Sequence, residues 1–285
     1  MRRDSIFVGV CAMAALRAFA QTSDDRGPSV ELIDPKVLRA CADPHNMPFS
    51  DEQGEGFENK LAKLLSEKLN KKLAFTWYPQ APGFVRNTLG SYKCDVIMGY
   101  PQGNDLVQST NPYYRTAYAF VFRLGTGLDG IETLSDPRLK ERRIGIVAGT
   151  PPSNAIAASG LMTRAKPYPL VVDTRIDSSG QAMVQDLVAN AIDVGVLWGP
   201  LAGWFARQTN PALTVVPLTH ETASPPLVYR IAMGVRATDQ EWKRQLNRLI
   251  EQNQPAINEL LLDYGVPLLD ETNQPITKAS LTKRP

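Results

Sequence analysis

The chain has 285 residues, 43% hydrophobic and 21% charged, with 31 basic side chains against 29 acidic ones and only two histidines. That near-neutral balance supplies no basic footprint for nucleic acid or for an anionic membrane surface. The length is enough for two hydrophobic cores of ordinary size.

The first twenty residues have the layout of a secretory signal. Arg2 and Arg3 precede an apolar run from Ile6 to Leu16, and Ala18-Phe19-Ala20 follows at the spacing a signal peptidase reads. The run is about half of the roughly 20 residues a membrane-spanning helix needs. Export, cleavage after Ala20 and residence in the periplasm are expected. Loss of Arg2, Arg3, Arg17 and Asp4 leaves 28 basic and 28 acidic residues. No later stretch is long and apolar enough to span a bilayer. Residues 21–34 are polar, contain Gly27 and Pro28, and read as a flexible lead.

A strand is expected from Val37 to Asp43, then a loop through Pro44, Pro48 and Gly54. A helix starts near Gly56, with Phe57, Leu61, Leu64 and Leu65 on one face. Lys72–Tyr78 alternates as a strand, Phe84–Leu89 is a short helix, and Asp95–Tyr100 is a nearly all-apolar strand. This alternation predicts a parallel sheet with helices on its faces. The extended run Tyr114–Arg123 leads into a second unit. Its strands are Arg143–Val147, Tyr168–Val172, Ile192–Trp198 and Leu213–Leu218. Its helices start at Ser135 and at Gly149-Thr150-Pro151-Pro152, and span Gly180–Ala189 and Pro200–Gln208. After Pro225-Pro226 a strand, Leu227–Val235, carries the chain back. Thr238-x-x-Glu241 forms a capping box for one helix, and Pro255 opens another that ends at Gly265. Residues 271–285 read as a polar, mobile tail.

Two crossovers imply a discontinuous first domain (35–122 plus 220–270) with a second (123–219) inserted into it. The fold class is α/β: two open sheets flanked by helices, with a cleft between them and two hinge strands. Ligands of open α/β sheets bind beyond the carboxyl ends of the strands, and such a cleft can open and close. Of the three cysteines, Cys11 leaves with the signal. An even remaining pair in an oxidising compartment favours a Cys41–Cys94 bridge. Against it stands an offset of four residues between neighbouring parallel strands, roughly 13 Å, where a bridge needs Cα atoms about 5–6 Å apart. Both alternatives stay open. His45 and His220 stand alone, so no metal site is expected.

Cys41-Ala42-Asp43, Pro48-Phe49, Gly56-Phe57-Glu58-Asn59 and Cys94-Asp95-Val96-Ile97-Met98-Gly99 resemble the first domain of periplasmic solute-binding proteins of the polar amino-acid class, with their type II-like fold. Four longer strings, at 41–62, 83–103, 110–123 and 264–270, resemble the MoxJ/XoxJ group. These are solute-binding-like proteins associated with pyrroloquinoline-quinone (PQQ) methanol dehydrogenases. The resemblance implies a role in supporting such a dehydrogenase.

Amino-acid binders of this fold place an arginine about seven residues before their S-x-P-Y segment, to pair with the ligand carboxylate. Here the segment is Thr110-Asn111-Pro112-Tyr113, and Gly103 stands at the arginine's place. The aspartate expected for the ammonium falls on Trp198. Without both partners an amino acid loses two charge-assisted contacts of about 1.5–3 kcal/mol each. Pro151 and Pro152 also lack the N–H groups that would cradle an anion at Gly149-Thr150. The remaining cleft candidates are Asp43, Asn46, Phe49, Glu58, Tyr78, Tyr100, Thr110, Tyr113, Tyr114, Arg115, Gly149, Thr150 and Trp198. Arg115 has Asp43 or Glu58 as candidate partners, and Tyr113, Tyr114 and Trp198 are expected to form an aromatic rim.

No G-x-S-x-G or H-E-x-x-H string is present, and no Gly-rich phosphate loop follows a strand. The expectation is a monomeric binding protein, not an enzyme, without a cofactor of its own. Its partner is a PQQ methanol dehydrogenase. The alternative is a substrate-binding protein serving an ABC permease, for a small non-amino-acid solute.

Overall fold

The computed structural model describes residues 31–222 and 225–282. The signal sequence, its cleavage site and most of the expected lead lie outside the described residues. Alternating apolar residues set the first strand, β1 (Val37–Ala42), with β2 (His45–Asn46) and β3 (Ser50–Asp51) forming a small ribbon after it. Helix α1 (Phe57–Lys68) buries Phe57, Leu61, Ala62 and Leu65 at helical spacing. β4 (Lys72–Trp77), α2 (Phe84–Asn87) and β5 (Val96–Pro101) complete the expected alternation.

The strand leaving this unit, β6, runs from Gln108 to Phe122, six residues earlier than its apolar pattern predicts. Pro112 lies within it, opposite Ala232, where the register with the returning strand shifts. A bulge tolerates a residue without an N–H. Thr110 Oγ1 closes the irregularity by accepting from the Met233 N–H at 2.9 Å.

The second unit contains β7 (Ile144–Val147), α3 (Pro151–Ala158), β8 (Ala165–Tyr168), α4 (Ser179–Val188), β9 (Val194–Trp198), α5 (Gly199–Ala206) and β10 (Thr214–Pro217). The expected strand over Tyr168–Val172 is displaced. Pairing with β7 ends at Tyr168, and Leu170 and Val171 are exposed. The chain returns through β11 (Val228–Val235) into α6 (Gln240–Asp263), then β12 (Leu268–Leu269), β13 (Pro275–Ile276) and α7 (Lys278–Leu281).

The strand order is β4-β1-β5-β11-β6-β9-β7-β8, with β10 also on β6. β6 belongs to both units. Residues 108–117 pair antiparallel with β11, and 118–122 pair with β9 and 119–122 with β10. Both sheets are therefore mixed, parallel at β4-β1-β5 and β9-β7-β8 and antiparallel around the shared strand. The first lobe's core lies between its sheet and helices α1 and α6. In the second lobe, Phe120 and Phe122 face one apolar layer while Ala119 and Val121 face the other. That is the period-2 alternation of a strand covered on both sides. Behind the cleft the lobes touch so closely that a Cβ on Gly203 would stand 1.8 Å from the Gly265 carbonyl oxygen.

Three further expectations are corrected. The two closing helices are one 24-residue helix with Pro255 inside it. Trp242, Leu246, Leu249, Ile250, Asn253, Ile257 and Leu261 make one continuous buried stripe, which outweighs the single hydrogen bond that proline removes. The expected Thr238/Glu241 capping box does not form: Asp239 is the N-cap, and the Glu31 carboxylate from the lead accepts from the N–H groups of Glu241 and Trp242, at 3.1 and 2.7 Å. Residues 271–282 of the expected tail are ordered, since β13 pairs with β12 and Glu271 takes Arg115 and Arg230.

Cys41 and Cys94 are bridged, with Cα atoms 5.5 Å apart. The geometric objection fails because Cys94 precedes the first paired residue of β5, in bent chain. The rise of an extended strand does not apply there.

Candidate functional site

The carboxyl ends of β1, β4, β5, β7, β8 and β9 all open on one cleft of about 1400 Å³ between the lobes. This is where helix-flanked open sheets leave a crevice. One wall is Asp43–Met47 with Pro79–Pro82, the other Leu170–Arg175 with Ser178–Gln181, and Tyr118, Trp198 and Tyr229 border the cleft at the hinge.

Four of the thirteen expected residues line this cleft: Asp43, Asn46, Thr150 and Trp198. Asp43 is buried, and its carboxylate accepts from the backbone N–H groups of His45 (2.8 Å) and Gln80 (2.6 Å), bracing two wall loops. Asn46 donates to Gln80 Oε1 at 2.8 Å. Thr150 donates to the Val147 carbonyl at 2.6 Å, and Gly149 supplies the positive φ of +77° that turns the chain into α3. Pro151 and Pro152 occupy the first turn of that helix, so few N–H groups there are free for an anion.

The other expected residues lie elsewhere. Phe49 packs on Phe57 with ring centroids 5.2 Å apart. Tyr78 accepts from Asn87 at 2.8 Å, and Tyr100 packs with Phe84 beside the disulfide. Thr110 belongs to the bulge. Tyr113 and Tyr114, expected at the rim, are 1% and 7% exposed in the first-lobe core, where α1 and α6 cover β6. Arg115 pairs with Glu271 rather than with Asp43 or Glu58. Glu58 lies over Gly99, so close that a Cβ there would stand 2.1 Å from Glu58 Oε1. Removal from water pushes its carboxyl up to about 8.

The rim is built instead from Tyr118, Trp198 and Tyr229. Cross-strand register places Tyr118 opposite Trp198, and Tyr229 opposite Thr116, two residues before Tyr118. The three rings meet where β6 passes from one lobe to the other. Both tyrosines stand on strands assigned as crossovers, and aromatics at such a crossing were the available signal.

The cleft is electronegative. Its lining carries Asp43, Asp51, Asp173 and Asp177 against a single guanidinium, Arg175. Arg175 is tied to Asp173 by two hydrogen bonds, 2.8 and 2.5 Å, which hold the Asp173 carboxyl down to about 2. Gly103 sits in an exposed turn outside the cleft, and the cleft lining holds no arginine besides Arg175. Among the described residues no cluster of three or more His, Cys, Asp or Glu is placed to hold a metal, and no helix is long and apolar enough to cross a membrane.

A two-lobed α/β molecule with its cleft at the carboxyl ends of both sheets, and two strands crossing behind it, has the architecture of a periplasmic solute-binding protein. The model for the family described as bacterial extracellular solute-binding protein matches residues 98–265. Protein MoxJ of Methylorubrum extorquens is 31% identical over 289 residues, covering 94% of this chain and 95% of that protein. The crystal structure of the periplasmic binding protein XoxJ from Methylobacterium extorquens AM1 is 44% identical. It superposes with a TM-score of 0.70 over 82% of this chain and all of that one. MxaJ from Methlophaga aminisulfidivorans is 28% identical, with a TM-score of 0.71 over 81% of this chain and 100% of that one. The chain belongs to the bacterial extracellular solute-binding protein family, in its MoxJ/XoxJ-type group.

Proposed function

We propose that this protein is a periplasmic accessory to a PQQ methanol dehydrogenase, supporting its activation or maturation by holding a segment of it in the inter-lobe cleft. The observation that carries this is the character of the cleft. At about 1400 Å³ it exceeds the roughly 300–1,000 Å³ of small-molecule sites. Its second wall exposes Leu170 and Val171 (58% and 65%), apolar surface of the kind that takes a protein segment. Its one guanidinium is already paired, so nothing stands ready for the carboxylate of a free amino acid. The group resemblance supplies the partner's identity, and PQQ belongs to that partner.

Deletion of the gene from a methanol-grown host is expected to lower active dehydrogenase in periplasmic extracts. The wild-type gene should restore it, and a Leu170→Asp, Val171→Asp double variant should not. Full dehydrogenase activity in the deletion strain, together with failed uptake of some solute, would establish the ABC-transport role instead.

A further inference from the structure

Tyr118, Trp198 and Tyr229 form a corner. Their ring centroids are 5.2, 5.6 and 6.2 Å apart, and their planes meet at 61°, 81° and 69°. A cation sitting at one distance over three mutually perpendicular ring faces has those rings separated by √2 times that distance. For faces turned toward one point, the observed spacings set that distance at about 4 Å, inside the roughly 6 Å reach of a cation–π contact. All three rings are only partly buried and border the cleft. The described residues place no cation of the chain itself over them: its cation–π pairs are Lys166 with Tyr168 and Arg236 with Tyr92. Charge points the same way. Four carboxylates line the cleft against one guanidinium, and a concave site lined by one sign concentrates the opposite charge.

We propose that the Tyr118–Trp198–Tyr229 corner is a cation site that receives a lysine or arginine side chain from an otherwise apolar peptide segment entering the cleft. The exposed Leu170 and Val171 on the facing wall suit apolar residues flanking that cation, and the carboxylates exclude an acidic segment. This rests on the cleft being the partner site, and it names the chemistry that the partner must present.

The test uses the purified mature protein and two peptides, acetyl-Gly-Leu-Arg-Leu-Gly-amide and the same peptide with citrulline for arginine. Citrulline keeps the shape and removes the charge. Calorimetry is expected to show the arginine peptide binding at least tenfold more tightly. Trp198→Leu should erase the preference, while Tyr229→Phe, which keeps the ring, should retain it. Equal affinity for the two peptides, no measurable binding of either, or a preference that survives Trp198→Leu in folded protein each overturns the site. The two proposals fail separately. A strong arginine preference with full dehydrogenase activity in the deletion strain supports the cation site and removes the dehydrogenase role. Lost dehydrogenase activity with equal peptide affinities removes the cation site and leaves that role standing.

Discussion

In the first lobe Asp95 is fully buried between Arg39 (3.1 Å) and Arg236 (3.0 Å), and Arg236 reaches Asp239 at 2.7 Å. The second lobe's arginine and lysine ion pairs, among the described residues, all have a solvent-exposed cation: Arg138–Asp136, Arg143–Asp193, Arg164–Glu141, Lys166–Asp186 and Arg175–Asp173. The first lobe also holds the disulfide and receives the N-terminal lead, whose Glu31 caps α6. The second lobe coheres by two apolar layers on its sheet, and it carries the exposed apolar wall of the cleft. Polar cohesion, among the described residues, is thus concentrated in the first lobe. The exposed apolar wall of the cleft hangs from the lobe without such ties.

The largest break in this comparison comes from Asp95→Ala, which takes the buried carboxylate away from both Arg39 and Arg236 and leaves Arg236 with Asp239 as its one carboxylate neighbour among the described residues. A loss of about 3–5 kcal/mol is expected in urea unfolding. Its counterpart, Asp193→Ala in the second lobe, should change stability by less than about 1 kcal/mol because Arg143 stays hydrated. Equal losses would show that the lobes do not differ in this way. Replacing Cys41 and Cys94 together by serine should destabilise by about 2–4 kcal/mol, the usual range for a bridge spanning some fifty residues. The loss should disappear when wild type and variant are compared under reducing conditions.

A further effect sharpens the comparison through pH. Burial raises the Glu58 carboxyl from 4.5 to about 8, so between these values the folded state keeps a proton that the unfolded state releases. Its contribution to stability is therefore fully present below pH 4.5, declines as pH rises, and is lost above pH 8. Glu58→Gln is expected to flatten this part of the profile and to gain about 1–3 kcal/mol at pH 9. Parallel wild-type and variant profiles would show that Glu58 does not titrate in this range.

Most of the first lobe was legible because its signals are local. Phe57, Leu61 and Leu65 repeat at helical spacing, and β1 and β5 are short apolar runs between polar loops. The run Tyr168–Val172 reads as strand by the same rule, and beyond Tyr168 the rule fails. Its apolar side chains face the cleft instead of a sheet neighbour. The site suffered similarly: Tyr113, Tyr114 and Tyr118 are three tyrosines within six residues of one strand, and no local pattern separates the core pair from the cleft one.

The sequence by itself determined the alternation of strands and helices, the crossing out to a second unit and back, and the lack of an arginine at Gly103. Each of these is a property of residue order and spacing. Tertiary structure alone decided that Pro255 lies inside a helix, that Cys41 meets Cys94, and that Tyr118, Trp198 and Tyr229 share a corner. A side chain's exposure depends on what covers it. β6 is covered by α1 and α6 at its start and opens on the cleft at Tyr118, and only the register of β6 against β9 and β11 sets where that change falls.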